Sequence, residues 1–333
     1  MGYLLVIIAG MLQGAFMLPM KSTRKWAWEN TWLVYSATAY LIWPWLFLLF
    51  TIPHPAGVLA ATSLRSLLVV EMFGIGWGIG AITFGLGVTR MGMALGFTII
   101  IGLAATAGAF IPMAVLAPEK LRQPQGLLTL AALGLVLVGL GLGSWGGSLR
   151  EPQQASSSKT GGSSFAIGLA ICIVSGLLSA CANLGFTFGS EYVSQAIKLG
   201  AAPSMAGNAV WAPLTFPLFI SNAGYCVWLM KKNKTGELFV ASGTRSYWAL
   251  GSLMGLMWIT GFVLYAPATR LLGSIGTSVG WAVLMCTMVI TANILGFVTG
   301  EWKNASRKAF GLALTGVVFL IMAIGVVGYA NHL

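Results

Sequence analysis

Of the 333 residues, 57% are hydrophobic and only 8% are charged, against roughly 25% charged in a soluble domain. So few charges exclude a water-soluble fold and set the apolar surface against lipid. The net charge of +11 does not point to nucleic acid, because no long basic run exists and the Lys and Arg residues fall in short loops, where they serve as topology signals and headgroup contacts.

Ten apolar stretches follow in chain order, at residues 2–20, 31–52, 66–88, 92–116, 126–145, 164–188, 205–230, 246–267, 274–299 and 310–330. Each has about the length a helix needs to cross ~30 Å of hydrocarbon. The fold class is therefore an all-α integral membrane protein with ten transmembrane helices. Residues 1–20 lack a basic leading segment and a cleavage site, so the first stretch is expected to stay in the membrane. Trp26, Trp28, Trp32, Trp145, Trp228, Trp248 and Trp302 fall near the ends of stretches, the interfacial depth that indole rings favour. Cys172, Cys181, Cys226 and Cys286 lie inside stretches at spacings that match no metal or redox motif. They read as buried free thiols, and no metal or other cofactor is expected.

The loops after odd-numbered stretches hold thirteen Lys and Arg residues and the even-numbered loops hold five. Positive charge stays cytoplasmic. The odd loops are thus expected inside a cell inner membrane, with both termini on the outer, periplasmic face.

Residues 146–163 form the one long polar stretch, rich in Ser and Gly. It divides the chain into a first five-helix repeat at 1–145, a cytoplasmic linker at 146–163 and a second five-helix repeat at 164–333. Five crossings per half force related halves into inverted orientations. An echo supports the relation: GIGW at 74–77 resembles GLMW at 255–258. Each is followed by a Thr-Arg pair, Thr89-Arg90 or Thr269-Arg270, and then by Gly96 or Gly276. Two inverted five-helix repeats place a substrate site near the midplane between the halves and imply alternating access.

The chain has no Asp. Glu29, Glu119, Glu151, Glu237 and Glu301 fall in loops, Glu191 at the edge of a stretch and Glu71 inside one. A carboxylate at that depth is either a proton-titrating group or one that snorkels or pairs with Arg65 or Arg270. Glu71 is thus the proton-coupling candidate. Gln13, Asn183, Asn208, Thr260 and Asn293 lie deeper. An amide both donates and accepts, which suits sugar hydroxyls and equally suits bonds between helices. Gln13 and Asn183 occupy corresponding places in the two halves. Trp77, Trp211, Trp258 and Trp281 sit mid-stretch, where a ring can take the C–H face of a sugar or simply pack. The substrate-binding candidates are Gln13, Trp77, Asn183, Trp258 and Trp281. There is no GxxxxGK[ST] loop and no HExxH pair, and His54 and His332 lie outside the core. An ATP-driven pump and an enzyme are therefore disfavoured.

The segments MKSTRKWAWENTW (20–32), GIGWGIGAITFGLGVTRMGMALGFTIIIGL (74–103), SNAGYC (221–226), GLMWITGFVLY (255–265) and GEWKNASRK (300–308) resemble the L-rhamnose–proton symporter family, within the drug/metabolite transporter superfamily. That resemblance implies ten helices in two inverted five-helix repeats and uptake of a 6-deoxyhexose with a proton. Ala81, Phe84, Gly261 and residues 275–278 stand where enterobacterial members carry hydrogen-bonding or acidic side chains. The expected function is secondary active, proton-coupled uptake of a small sugar, L-rhamnose or a related deoxyhexose. The alternative is a metabolite or drug exporter or exchanger of the same superfamily, with a more apolar solute. The partners are then sugar, proton and membrane lipids, with no nucleic acid; no feature indicates an oligomeric state.

Overall fold

The computed structural model describes residues 1–150 and 162–333, and every regular element among them is helical. The first half holds α1 (Gly2–Ala15), α2 (Trp28–Ser36), α3 (Trp43–Thr51), the short α4 (Pro55–Ala61), α5 (Leu64–Met91), α6 (Met93–Leu116) and α7 (Pro124–Arg150). The second half holds α8 (Gly162–Ser179), α9 (Cys181–Phe188), α10 (Ser190–Lys198), α11 (Asn208–Asn233), α12 (Arg245–Leu271), α13 (Gly276–Val298) and α14 (Arg307–Ala330). Residues 146–150 of the expected linker complete α7; its remainder, up to residue 161, lies outside the described residues.

Among the described residues nine helical segments are long and apolar enough to cross a bilayer. The stretch expected at 205–230 is not one of them. It forms α11, a continuous helix of 26 residues that carries Pro213 and Pro217. Its polar side chains face protein. Asn208 donates to Thr51 Oγ1 at 3.0 Å, and the Asn222 amide donates to the Leu218 carbonyl at 2.9 Å while its oxygen accepts from Trp32 Nε1 at 3.2 Å. A helix buried in the bundle needs less apolar surface than one facing lipid, which is why its composition is mixed. The stretch expected at 164–188 is broken into α8 and α9, and α10 continues beyond Gly189.

Prolines shape the packing as well as the helices. A proline has no N–H for the carbonyl four residues back, and that buried carbonyl must find another donor. Pro44 frees the Tyr40 carbonyl, at the end of a π-helical segment Ala37–Ile42 that joins α2 to α3; Thr215 Oγ1 of α11 donates to it at 2.8 Å. Pro112 frees the Gly108 carbonyl in α6, and Asn183 Nδ2 of α9 donates to it at 2.8 Å. Both repairs come from the opposite half of the chain.

Helix pairs across the halves form the centre. Helix α5 packs on α8 and α11; α1 packs on α12 and α13; α2 packs on α11 and α12; α6 meets α8 and α13; α7 lies along α14. Gly74 and Gly255 make two of these approaches close. A Cβ on Gly74 would stand 2.5 Å from the Leu214 carbonyl of α11, and one on Gly255 would stand 2.7 Å from the Ala39 nitrogen. The outward faces carry Leu4, Ile8 and Met11 on α1, Leu127, Leu137 and Val138 on α7, and Leu314, Val318 and Ile321 on α14, all exposed. Such an apolar surface is stable only in hydrocarbon, so the chain is a multi-pass membrane protein.

Candidate functional site

Trp77 and Trp258 each lie midway along their helix, α5 and α12. Their rings stack on one another with centroids 5.5 Å apart and planes at 29°. Trp258 is buried and Trp77 half-buried. Trp258 also meets Tyr40 edge-on at 4.9 Å and Phe262 at 4.7 Å. Gln13, buried in α1, donates from Nε2 to the Trp258 carbonyl at 2.8 Å. Three predicted residues, Gln13, Trp77 and Trp258, are therefore brought together from three helices at mid-depth.

Asn183 and Trp281 meet each other's surroundings in a second cluster. Asn183 Nδ2 donates to the Gly108 carbonyl and to the Thr277 carbonyl at 3.1 Å, while its Oδ1 accepts from the Tyr265 hydroxyl at 2.6 Å. Trp281 Nε1 donates to the Ala104 carbonyl at 3.0 Å. Gly108 permits that approach: a Cβ there would stand 2.4 Å from the indole nitrogen. The polar groups of both side chains are thus engaged, and they bind α6 to α9 and α13.

The two clusters are joined by rings. Phe262 meets Trp211 at 4.7 Å, Trp211 stacks on Phe186 at 4.6 Å and 5°, and Phe186 meets Tyr265 at 5.6 Å. Trp211 is fully buried, yet among the described residues its Nε1 has no hydrogen-bond partner. An unpaired buried N–H costs about 1–3 kcal/mol, and a ligand hydroxyl would relieve that penalty. Tyr35, Tyr40, Phe186, Phe262 and Tyr265 were not among the candidates. The α12 members were signalled by spacing, since 258, 262 and 265 share one helix face. Tyr35 and Tyr40 were not, because the π-helical segment Ala37–Ile42 shifts the register between them.

Glu71 is half-buried on α5 and, among the described residues, makes no hydrogen bond or ion pair, so neither Arg65 nor Arg270 neutralises it. Toward the start of the same helix opens a cavity of about 580 Å³ lined by Ser63, Arg65, Ser66, Val69, Phe73, Phe188 and Glu191.

At the opposite end the halves are tied by loops. Lys21 pairs with Glu301 at 2.5 Å, and Arg150 Nη1 lies 3.4 Å from the same carboxylate. The hydrogen bond from Lys21 is the main reason the Glu301 carboxyl is held below the usual carboxylate range. Lys25 donates to the Ser242 carbonyl at 2.9 Å, Trp26 Nε1 to the Leu238 carbonyl at 2.9 Å and Asn30 to the Thr235 carbonyl at 3.0 Å. Glu29 accepts from Asn233 at 3.0 Å and from Thr235 at 2.7 Å.

Sequence comparison gives the family to which these helices belong. The family model described as L-rhamnose-proton symport protein (RhaT) matches residues 1–332. The chain is 27% identical over 335 residues to a protein of Shigella dysenteriae serotype 1 named L-rhamnose-proton symporter, covering 98% of this chain and 97% of that one. Proteins of the same name from Escherichia coli strains ATCC 8739 and O1:K1 are 27% and 26% identical over the same shares. The match runs through all the helices that build the seam, and the chain belongs to the L-rhamnose-proton symport protein family.

Proposed function

We propose that this chain takes up L-rhamnose or a related deoxyhexose together with a proton, by alternating access across a bacterial inner membrane. The observation that carries this is the stacked Trp77–Trp258 pair beside buried Gln13, between the halves. The family and the names of its relatives support the substrate and the proton.

Helix α11 is the tenth crossing, and the halves are inverted repeats of the drug/metabolite transporter superfamily, with residues 151–161 in the linker between them. The pairing of helices supports this. Exchanging α1 with α8, α2 with α11, α5 with α12, α6 with α13 and α7 with α14 turns each central pairing into another observed pairing. Gly74 and Gly255 perform equivalent close approaches, and Trp77 and Trp258 stack as a two-fold axis between them would require. The charge bias supports an orientation with both termini and the Glu191 cavity outside and the Lys21–Glu301 end inside.

Two ring contacts of ~3.5–4 Å each need about 7–8 Å between ring planes. At a centroid separation of 5.5 Å the indoles of Trp77 and Trp258 leave no room for a sugar between them. Sugar entry therefore separates α5 from α12, and rings that had packed on each other pack on the sugar. The Gln13 carboxamide and the Trp211 N–H serve its hydroxyls. Asn183 and Trp281, engaged with backbone, hold the wall that carries Tyr265. Glu71, unpaired in the low-dielectric interior, carries the proton. Release to the cytoplasm requires the ties at Lys21, Lys25, Trp26 and Glu29 to part.

Purified protein in liposomes should accumulate labelled L-rhamnose when the outside is acidic relative to the lumen, and a protonophore should abolish accumulation. Exchange of sugar without accumulation under any gradient would overturn proton coupling. Neither exchange nor accumulation would overturn the sugar.

A further inference from the structure

The loop that joins α11 to α12 carries a second cavity, of about 710 Å³, lined by residues 239–246. It lies at the same end of the molecule as the Lys21–Glu301 pair, and Lys25 reaches it from the first half, donating to the Ser242 carbonyl of its lining. A Cβ added to Gly243 would stand 3.1 Å from Lys25 Nζ, so the ammonium lies against the cavity wall. Arg245, exposed, lines the cavity itself, and Arg24, next to Lys25, is exposed as well. Among the described residues Arg24, Lys25 and Arg245 pair with no carboxylate. The nearby acids do not cancel them. Glu29 is buried and engaged by Asn233 and Thr235. Glu237 is the one exposed carboxylate of the loop, and Lys231, Lys232 and Lys234, exposed at the end of α11, outnumber it.

Apolar and aromatic groups surround these cations. Val240, in the lining, is 87% exposed, and Trp28, Trp228 and Trp248 are exposed too. Indole rings favour the headgroup depth of a bilayer, and the Lys232 ammonium lies 5.1 Å from the centroid of the Trp228 ring. Trp26 forms a fixed floor. It is buried, meets Phe239 edge-on at 5.1 Å and Tyr247 and Trp248 at 5.5 Å, and its N–H is held by the Leu238 carbonyl. An occupant of this cavity must offer negative charge to the cations and an apolar part to Val240 and Trp248. A phospholipid has both, whereas a soluble anion has only the first. A zwitterionic headgroup would bring its own cation into a positive site, at a cost in like-charge repulsion that an acidic headgroup avoids.

We propose that the α11–α12 loop is a binding site for an acidic phospholipid, whose phosphate is shared by Arg24 and Lys25 of the first half and Arg245 of the second. That bridge adds to the bonds that already cross between the halves here, from Lys25, Trp26 and Asn30 to the Ser242, Leu238 and Thr235 carbonyls. Bound lipid therefore holds the loop on the first half. The site does not depend on which solute crosses the membrane. On the reading of this end as the one that parts to release sugar, an acidic lipid favours its closed form.

Native mass spectrometry of the full chain, released from micelles that hold equal amounts of phosphatidylglycerol and phosphatidylcholine, counts bound lipid directly. Wild type is expected to retain phosphatidylglycerol over phosphatidylcholine by at least about tenfold. Arg24→Gln/Lys25→Gln/Arg245→Gln removes the charges but leaves an N–H for the Ser242 carbonyl, and should lower that ratio at least about fivefold. Arg24→Lys/Lys25→Arg/Arg245→Lys keeps the charges and should restore it. Lys303→Gln/Arg307→Gln/Lys308→Gln removes as much charge from another loop and should leave the ratio within about twofold of wild type. Equal loss in both glutamine variants would mean a diffuse charged rim and overturn the site, as would a wild type without preference. Hydrogen exchange in lipid discs reads the tie. The amides of residues 236–246 should exchange at least about threefold more slowly when phosphatidylglycerol joins phosphatidylcholine, in wild type and not in the first glutamine variant. Unchanged exchange in wild type would overturn the hold on the loop. The same slowing by inorganic phosphate, without phosphatidylglycerol, would make the occupant a soluble anion and overturn the lipid. Neither readout uses sugar, so the outcome stands apart from the reading of the chain as a symporter.

Discussion

Trp258→Ala is expected to weaken L-rhamnose binding by about tenfold, the equivalent of ~1.4 kcal/mol, and to lower stability as well. Its ring stacks on Trp77 and touches Tyr40 and Phe262, and it is buried. Truncating a buried aromatic typically costs about 3–5 kcal/mol, because the surroundings collapse only in part. Trp77→Ala is expected to weaken binding by a similar factor with a smaller loss of stability, since Trp77 is only half-buried. Thermal unfolding in detergent separates the two effects. The midpoint without sugar reports packing, and its rise with L-rhamnose follows RT ln(1 + [L]/Kd). An unchanged sugar-induced rise in both variants would remove the pair from the binding site.

Asn183→Leu is expected to be the most destabilising single change in the second cluster, by roughly 3–5 kcal/mol. Asn183 bonds the Gly108 carbonyl, the Thr277 carbonyl and the Tyr265 hydroxyl. The Gly108 carbonyl has lost its helical partner to Pro112, so without Asn183 it is left buried and bare. Each such orphan costs about 1–3 kcal/mol. Tyr265→Phe removes one hydroxyl, whose single proton is shared between the Asn183 oxygen at 2.6 Å and the Thr277 carbonyl at 2.9 Å, at about 1 kcal/mol, because the Asn183 amide bonds remain. The order expected for the unfolding midpoint is wild type, then Tyr265→Phe, then Asn183→Leu. Equal midpoints for all three would mean that water or a neighbouring group already serves these atoms.

The outline of the bundle was legible because lipid imposes a simple rule, and stretches such as 310–330 obey it with almost no polar residue. The exception is instructive. Helix α11 faces protein on so much of its surface that Asn208, Thr215 and Asn222 are buried and partnered, and its composition reflects that. Breaks at Ala180 and Gly189, which turn one expected span into α8, α9 and α10, carry no proline to announce them. At the site, the GIGW and GLMW echo drew Trp77 and Trp258 out together, but gave no sign that they touch. Asn183 stood out as an amide in an apolar stretch, whereas its partner at Gly108 is created by a proline in another helix. Glu191 looked like an ordinary helix-end charge; only the fold brings Ser63 and Ser66 to it.

Crossing number and orientation are most directly measured at the two ends of the chain. The four native cysteines are buried, so an added cysteine can be read against a quiet background. One would be inserted after Met1 and another made as His332→Cys, with Lys234→Cys and Arg122→Cys as inside and outside references, each probed in intact cells with a membrane-impermeant maleimide. Ten crossings in two inverted halves predict labelling at both termini and at Arg122→Cys, and none at Lys234→Cys. Labelling at one terminus only would mean an odd number of crossings, and the two halves could not then be inverted five-helix units around a shared sugar site.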